Sequence, residues 1–354
     1  MRVLISGYYG SGNLGDEAVL AGLLGELRRQ APEWRVTVLS GDVRRTEQQH
    51  GVAAVPRWPV GAVAEAVGRA DLVVSGGGGL LQDATSLRSL LYYAGVLWLA
   101  RQRGKRTAIV AQSIGPLRTR VGRWLARQAA ERAALVTVRD EPSARLLREI
   151  GVSRPVEVTA DPAFLVEPAE GQERAGIGLA LREWPGGEEA LAALIQGVRR
   201  WLESRGETAA LFPFHSPRDV APSERAAGVL GERARLVRLG ERPEEACGIV
   251  AGMGLVVGVR LHALILASVA GVPWVSVSYD PKVTGFAEAA GMTCLTPAEL
   301  TVDAAFAAIE ETWEQREAKA EMLRSRLAEW RALARRNVEL LVQVGSGAVA
   351  GEQG

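Results

Sequence analysis

Residues 3–20 read VLISGYYGSGNLGDEAVL. The first four are an apolar run of strand type. Gly7, Gly10 and Gly12 follow, then Asn13, Asp16 and Glu17, and apolar residues at helical spacing continue to Gln30. A strand turning through glycines into a helix is the first half of a βαβ unit. Glycines allow a tight turn and close backbone approach, Asn13 or Asp16 suits the cap of a helix starting near Glu17, and free N–H groups at a helix start suit an anion. The spacing is not GxGxxG, no acid follows a second strand where a dinucleotide site needs one, and no GK[ST] is present. A plain capped turn and a ligand loop both stay open for Gly10, Gly12, Asn13 and Asp16.

The pattern repeats outward from this stretch. Strand-type runs recur at 36–39, 72–75, 107–112, 135–138 and 156–159, with a helical pattern at 143–150. Strand–helix–strand alternation predicts a parallel sheet covered on both faces. Residues 167–175, EPAEGQERA, are polar and aperiodic and read as a linker. The alternation then restarts with GIGLAL, TAALFPF, ARLVRL, GLVVGV and PWVSVSY, and a helix-rich segment fills 303–345. The expectation is an α/β protein with two Rossmann-like domains, 1–166 and 176–302, facing a cleft. Ligands of open α/β sheets sit beyond the carboxyl ends of the strands, so the loops after strands are where chemistry is sought.

Bulk properties exclude several classes. The 354 residues exceed one ordinary core. A net charge of +1 gives no sign of a nucleic-acid partner. Cys247 and Cys294 lack CxxC spacing and read as buried thiols in a reducing compartment. Met1 and Arg2 lead straight into the first strand without a long apolar leader, which predicts a cytoplasmic protein. LLYYAGVLWLA at 90–100 is shorter than the roughly 20 residues of a membrane span and reads as a buried helix. Lysine occurs only at 105, 282 and 319. The three histidines are scattered, no metal-ligand spacing exists and GxSxG is absent, so neither a metal site nor a serine hydrolase is expected.

Several loops carry candidate chemistry. SGGGGLLQD at 75–83 leaves bare backbone at Gly77 and Gly78 for a ligand or a neighbouring loop, with Asp83 heading a helix. Ser113 in QSIGP offers a hydrogen bond at a third strand end. Arg139 in VRDEPS offers a fixed cation, or one half of a surface pair with an aspartate. The sharpest stretch is GVRLHALILASVAGVPWVSVSYDPKV, 258–283. Read as a strand-like exit, it puts Arg260 and His262 on one side by the period of two. Lys282 lies in the loop after the next strand, on the same sheet edge. Burying such a pair without use costs desolvation. His215 ends another strand, with Asp219 four residues on, and is placed at the cleft edge outside the chemistry. His50, in RRTEQQH, reads as solvated.

In order along the chain, GYYGSGNLGDEAVL, SGGGGLLQD, QSIGP, VRDEPS, ADPAF, GVRLHALILASVAGVP and SYDPKV together resemble the polysaccharide pyruvyl transferase family, in particular its CsaB-type members. Val259 departs from the methionine common at that position. The resemblance implies a two-domain arrangement like GT-B glycosyltransferases, phosphoenolpyruvate as donor and no further cofactor or metal. It also implies a pyruvate ketal on a sugar as product, with phosphate released. For CsaB-type members it implies an N-acetylmannosamine acceptor, lipid-linked in a cell-wall precursor, and a role in anchoring S-layer proteins. It points to Arg260 and His262 as catalytic. Arg139, Arg260 and Lys282 suit the anionic donor, leaving the glycine loops with Asn13, Asp16, Asp83 and Ser113 for the acceptor or its diphosphate. A GT-B-type nucleotide-sugar glycosyltransferase and a non-catalytic anion-binding module are the competing readings. A lipid-linked acceptor also implies peripheral contact at the inner face of the plasma membrane. LRTRVGRWLARQAAERAA, 117–134, offers a basic amphipathic helix for that contact, or merely a solvated arginine face.

Overall fold

The computed structural model describes residues 1–84, 86–169 and 174–347. The chain divides into two compact units, Met1–Leu165 with Trp330–Gly354, and Val166–Glu329. The first holds β1 (Arg2–Tyr9), α1 (Leu14–Gln30), β2 (Arg35–Ser40), α2 (Val43–His50), β3 (Ala53–Pro56), α3 (Val60–Arg69), β4 (Leu72–Gly78), α4 (Leu87–Gln102), β5 (Arg106–Gln112), α5 (Arg120–Glu131), β6 (Leu135–Val138), α6 (Glu141–Glu149) and β7 (Glu157–Val158). The second holds β8 (Ile177–Ala180), α7 (Glu188–Arg205), β9 (Ala209–Leu211), α8 (Val220–Leu230), β10 (Ala234–Leu236), α9 (Pro243–Ala251), β11 (Leu255–Gly258), α10 (Leu261–Val269), β12 (Trp274–Val277), α11 (Pro281–Ala290), β13 (Thr293–Leu295) and α12 (Val302–Glu314). The expected linker falls partly on 170–173, outside the described residues.

Each unit is a parallel sheet. The first runs in the order β3-β2-β1-β4-β5-β6-β7 and the second in the order β10-β9-β8-β11-β12-β13. The order reverses between β1 and β4 in one and between β8 and β11 in the other. Such switch points open a crevice at the carboxyl edge. The central strands are apolar because both faces are covered: Leu4, Val73, Ile109 and Val136 join the core beneath α3, α4, α5 and α6. In the second unit Leu179, Leu211, Val257 and Val275 pack under α7 and α12.

Two boundaries differ from the sequence expectation. The glycines Gly76, Gly77 and Gly78 are not loop; β4 continues through them and all of β4 is buried. A Cβ on Gly77 would overlap a methyl group of Val19 on α1, so the bare backbone is already covered by the unit's own helix.

The helical segment expected at 303–345 is not a separate piece. It breaks at Gln315, and α13 (Arg316–Ser346) begins in the second unit and ends in the first. Within the first unit its Asn337 is fully buried. The Asn337 Oδ1 accepts hydrogen bonds from the Thr137 hydroxyl at 2.6 Å and the Thr159 hydroxyl at 2.7 Å. Its Nδ2 donates to the carbonyls of Ala160 and Ala334, each at 3.0 Å. Every bonding position of that amide is used, and leaving its buried partners unmatched is costly. Asn337→Leu is therefore expected to lower unfolding free energy by about 1–3 kcal/mol, read from the urea midpoint; an unchanged midpoint would refute the anchoring role.

Candidate active site

In the second unit four strands deliver polar residues to one sheet edge. β8 is followed by Arg182 and Trp184, β9 by His215, Arg218 and Asp219, β11 by Arg260, and β12 by Tyr279 and Asp280. Asp219 is the centre. Its side chain is 1% exposed, against 12% for Arg260. Arg260 grips the carboxylate with both arms of its fork: Nε donates to Oδ2 at 2.9 Å and Nη2 donates to Oδ1. The backbone N–H of His215 donates to the same Oδ2 at 2.9 Å, and the Asp219 N–H donates back to the His215 carbonyl at 2.8 Å. This two-way bond closes the turn after β9 and sets where Arg260 is held. Tyr279 stacks on Trp184 with ring centres 5.1 Å apart, and the Arg182 guanidinium lies 5.8 Å over the Tyr279 ring.

The electrostatics are one-sided. Burial pushes the His215 pKa down to about 4, and Arg260, Arg218 and Arg182 add to the shift against the single opposing charge of Asp219. Burial, then the Arg260 charge, also lowers the Arg182 pKa. Arg182, Arg218 and Arg260 thus act together on His215 against Asp219, while Asp280 on the same edge caps α11. A site with surplus cation suits an anion.

His262 and Lys282 lie on the same edge but not as a strand-like exit. Arg260 is the N-cap residue of α10, and the helix starts at Leu261. His262 is therefore in the first helical turn and half-buried, so the period-of-two argument for its direction does not hold. Lys282 occupies the equivalent turn of α11, where its N–H donates to the capping Asp280 Oδ1 at 3.1 Å.

The first unit uses its polar loops differently. Asn13, rather than Asp16, caps α1: its Oδ1 accepts from Gly15 N–H at 3.3 Å, and its Nδ2 donates to Asp16. Gly10 has φ +66°, and a Cβ there would overlap the Ser40 hydroxyl; Gly12 and Gly78 also have positive φ. The Gly10 N–H donates to Glu17 Oε1 at 2.9 Å, while Glu17 Oε2 pairs with His50 Nε2 at 2.9 Å. Both side chains of that pair are at most 3% exposed. His50 is thus not solvated, because a partner from α1, remote in sequence, buries it.

Asp83 does not head α4. It accepts from the N–H groups of Arg118 and Thr119 at 2.6 and 2.8 Å and from the Thr119 hydroxyl at 2.6 Å. Burial pushes its pKa up, but these bonds outweigh that and hold it below the usual carboxylate value. Ser113 is fully buried; its hydroxyl donates to Asp140 and accepts from Arg139 Nε at 2.8 Å. Arg139 pairs with Asp161, and the two are 7% and 3% exposed. That is neither the expected open cation nor a surface pair. The charge of Arg139 is already matched inside its own unit.

Sequence reasoning missed Arg182, Trp184 and Arg218 and set Asp219 aside. The signal was present: ALREW and HSPRD follow strands just as VRLH does. No conventional motif marked them.

The polysaccharide pyruvyl transferase family model matches residues 13–281. No curated protein sequence matches the chain. Among solved structures, the S. aureus MnaA–UDP co-structure is 12% identical with a TM-score of 0.69, covering 97% of this chain and 96% of that one. The UDP-GlcNAc 2-epimerase of Neisseria meningitidis bound to UDP-GlcNAc is 12% identical at TM-score 0.65, covering 97% and 100%. Anabaena HepE in complex with UDP-glucose is 16% identical at TM-score 0.63, covering 99% and 100%. These likenesses establish a shared fold of two parallel α/β units.

The depressed His215 pKa has a pH signature. Between the unfolded value near 6.5 and the folded value of about 4, the unfolded chain binds the extra proton, so wild-type stability falls as pH drops through that window. His215→Gln removes this contribution. The stability difference between pH 7 and pH 4.5 is expected to be smaller in the variant than in wild type, by urea unfolding at both pH values. An equal difference would mean that His215 titrates normally.

Proposed function

The chain belongs to the polysaccharide pyruvyl transferase family, and from that premise we propose that it transfers the pyruvyl group of phosphoenolpyruvate to two hydroxyls of a sugar, forming a ketal and releasing phosphate. The observation that carries this reading is the surplus of Arg182, Arg218 and Arg260 over Asp219 at the carboxyl edge of the second sheet. Phosphoenolpyruvate brings a phosphate and a carboxylate on adjacent groups. Fixed guanidinium forks and the nearby Lys282 match both. Arg139, whose charge is matched by Asp161, is left out of the donor set.

The reaction needs a proton at the C3 methylene while the first sugar hydroxyl attacks C2. The second hydroxyl then displaces phosphate from C2 and closes the ketal. Of the two hydroxyl protons, one is balanced by the proton gained at C3 and the other leaves with phosphate. His262, beside the capping Arg260 in the first turn of α10, is assigned the proton transfers. Arg260 stabilises the departing phosphate, held in place by Asp219. By resemblance to CsaB-type members, the acceptor is assigned as an N-acetylmannosamine unit of a lipid-linked cell-wall precursor, and the product as an anchor for S-layer proteins. The N-terminal glycine loop with Asn13 and Asp16 is assigned to the acceptor side.

A nucleotide-sugar glycosyltransferase is the second reading, because the structural neighbours above hold UDP or UDP-sugars. One assay separates the two: phosphate release from phosphoenolpyruvate across lipid-linked and free acceptors, beside UDP release from UDP-sugars. Acceptor-dependent phosphate release is expected; UDP release alone would reverse the assignment. His262→Ala is expected to lower kcat by about 10²-fold or more with an unchanged circular dichroism spectrum; near-normal turnover would remove it from the mechanism. Lys282→Ala and Arg182→Ala are each expected to raise the donor KM by roughly ten- to a hundredfold, as one charge-assisted contact is worth about 1.5–3 kcal/mol. Unchanged KM in both would end the clamp assignment. Arg260→Ala is a poor probe of affinity, since it orphans a buried carboxylate at a cost of about 3–5 kcal/mol.

A further inference from the structure

On the sheet face covered by α3, α4 and α5, the outward surface of the first unit is unusually apolar. Leu87, Leu91 and Trp98 recur along one stripe of α4 at spacings of four and seven. Trp98 is 55% exposed. On the neighbouring α5, Val121 and Trp124 repeat this at a spacing of three, with Trp124 59% exposed. Trp58, just before α3, is exposed too and meets Tyr92 of α4 with ring centres 5.2 Å apart. The stretch that reads as a buried helix is thus buried on one side only. Large apolar side chains brought together on adjacent helices mark a contact surface rather than scattered exposure.

The charges around them are of one sign. Arg88, Arg118, Arg120, Arg123 and Arg127 are exposed on or beside α4 and α5, and among the described residues none lies in an ion pair. α4 carries no acid, and α5 carries only Glu131. Glu131 accepts hydrogen bonds from Ser153 and also feels the charge of Arg127, Asp83 is held by the N-terminal turn of α5, and Glu65 of α3 is paired with Arg69.

We propose that this face is a docking surface for an anionic lipid bilayer: Trp98, Trp124, Leu91 and Val121 enter the interface and the five arginines meet lipid phosphates. Tryptophan is favoured at the membrane–water boundary, and arginine stems lie along apolar surface while their heads reach the phosphates. A second copy of the chain does not fit, because self-association of this face sets five arginines against five, while Glu65, Asp83 and Glu131 are already engaged within the chain. No described helix is long and apolar enough to cross a membrane; the contact is a surface one, in the plane of the interface. It requires no substrate, so its failure is separable from failure of the pyruvyl-transfer reading.

The test is co-sedimentation of the full chain with vesicles of equimolar phosphatidylglycerol and phosphatidylcholine, beside vesicles of phosphatidylcholine alone. Binding to the anionic vesicles at low salt, weakened by added salt and absent from the neutral vesicles, is the expected result. Each arginine is worth about fivefold in partition, so Arg120→Glu, Arg123→Glu and Arg127→Glu together should weaken binding by at least about a hundredfold. Trp98→Ala with Trp124→Ala should weaken it while leaving the salt dependence in place. The single reversals at Arg120 and Arg123 keep the test open should the triple variant fail to fold. No binding at low salt, or binding untouched by the charge reversals, overturns the proposal. So does a dimer in light scattering that Trp124→Ala disperses, without vesicle binding, which would give the face to a second copy.

Discussion

A carboxylate without water around it must be matched where it stands, and the candidate site is organised by that requirement. Asp219 is buried behind the turn after β9 and accepts from both arms of Arg260 and from the backbone of His215. A buried ion pair adds little net stability, but removing one partner is severe. The pair therefore fixes position rather than contributing much to folding. Arg260 cannot swing away, the turn carrying His215 cannot open, and two strand ends are tied through one side chain. Asp219 is committed to Arg260, and among the described residues neither Arg182 nor Arg218 lies in an ion pair.

The two units handle charge in opposite ways. In the first, several polar groups beyond the strand ends find a match nearby: Glu17 with His50, Arg139 with Asp161, Ser113 with Asp140, Asp83 with the start of α5. These pairs brace loops around the β1–β4 switch point. In the second, the match is left incomplete at the β8–β11 switch point.

The fold was legible because it rests on short-range pattern. Apolar runs of strand length alternating with helical periodicity leave few arrangements besides parallel sheets, and the reading found all the inner strands. It also found the edge strands β7 and β10 but missed the other two: β3 ends in a proline, which reads against a strand, and β13 is only three residues long. The site was half legible. Arg260, His262 and Lys282 stood out by residue type. What they touch depends on partners far along the chain: Asp219 lies 41 residues from Arg260, and Glu17 lies 33 from His50. Local polarity therefore misjudged His50 as wet and Arg139 as open. The glycines of β4 misled for a related reason, since the residue filling the space above Gly77 is Val19, on another element.

The path of α13 has a consequence for how the chain is made. The second unit is one uninterrupted stretch, Val166–Glu329, whereas the first is completed only by residues from Trp330 onward. Domains usually fold in the order in which they are synthesised. Here the ribosome delivers the sheet of the first unit before the helix that carries Asn337. Thr137 and Thr159 wait for their partner through the translation of the whole second unit, which has all it needs to fold first. The half whose synthesis begins first is thus the half whose last contacts become available at the end of translation.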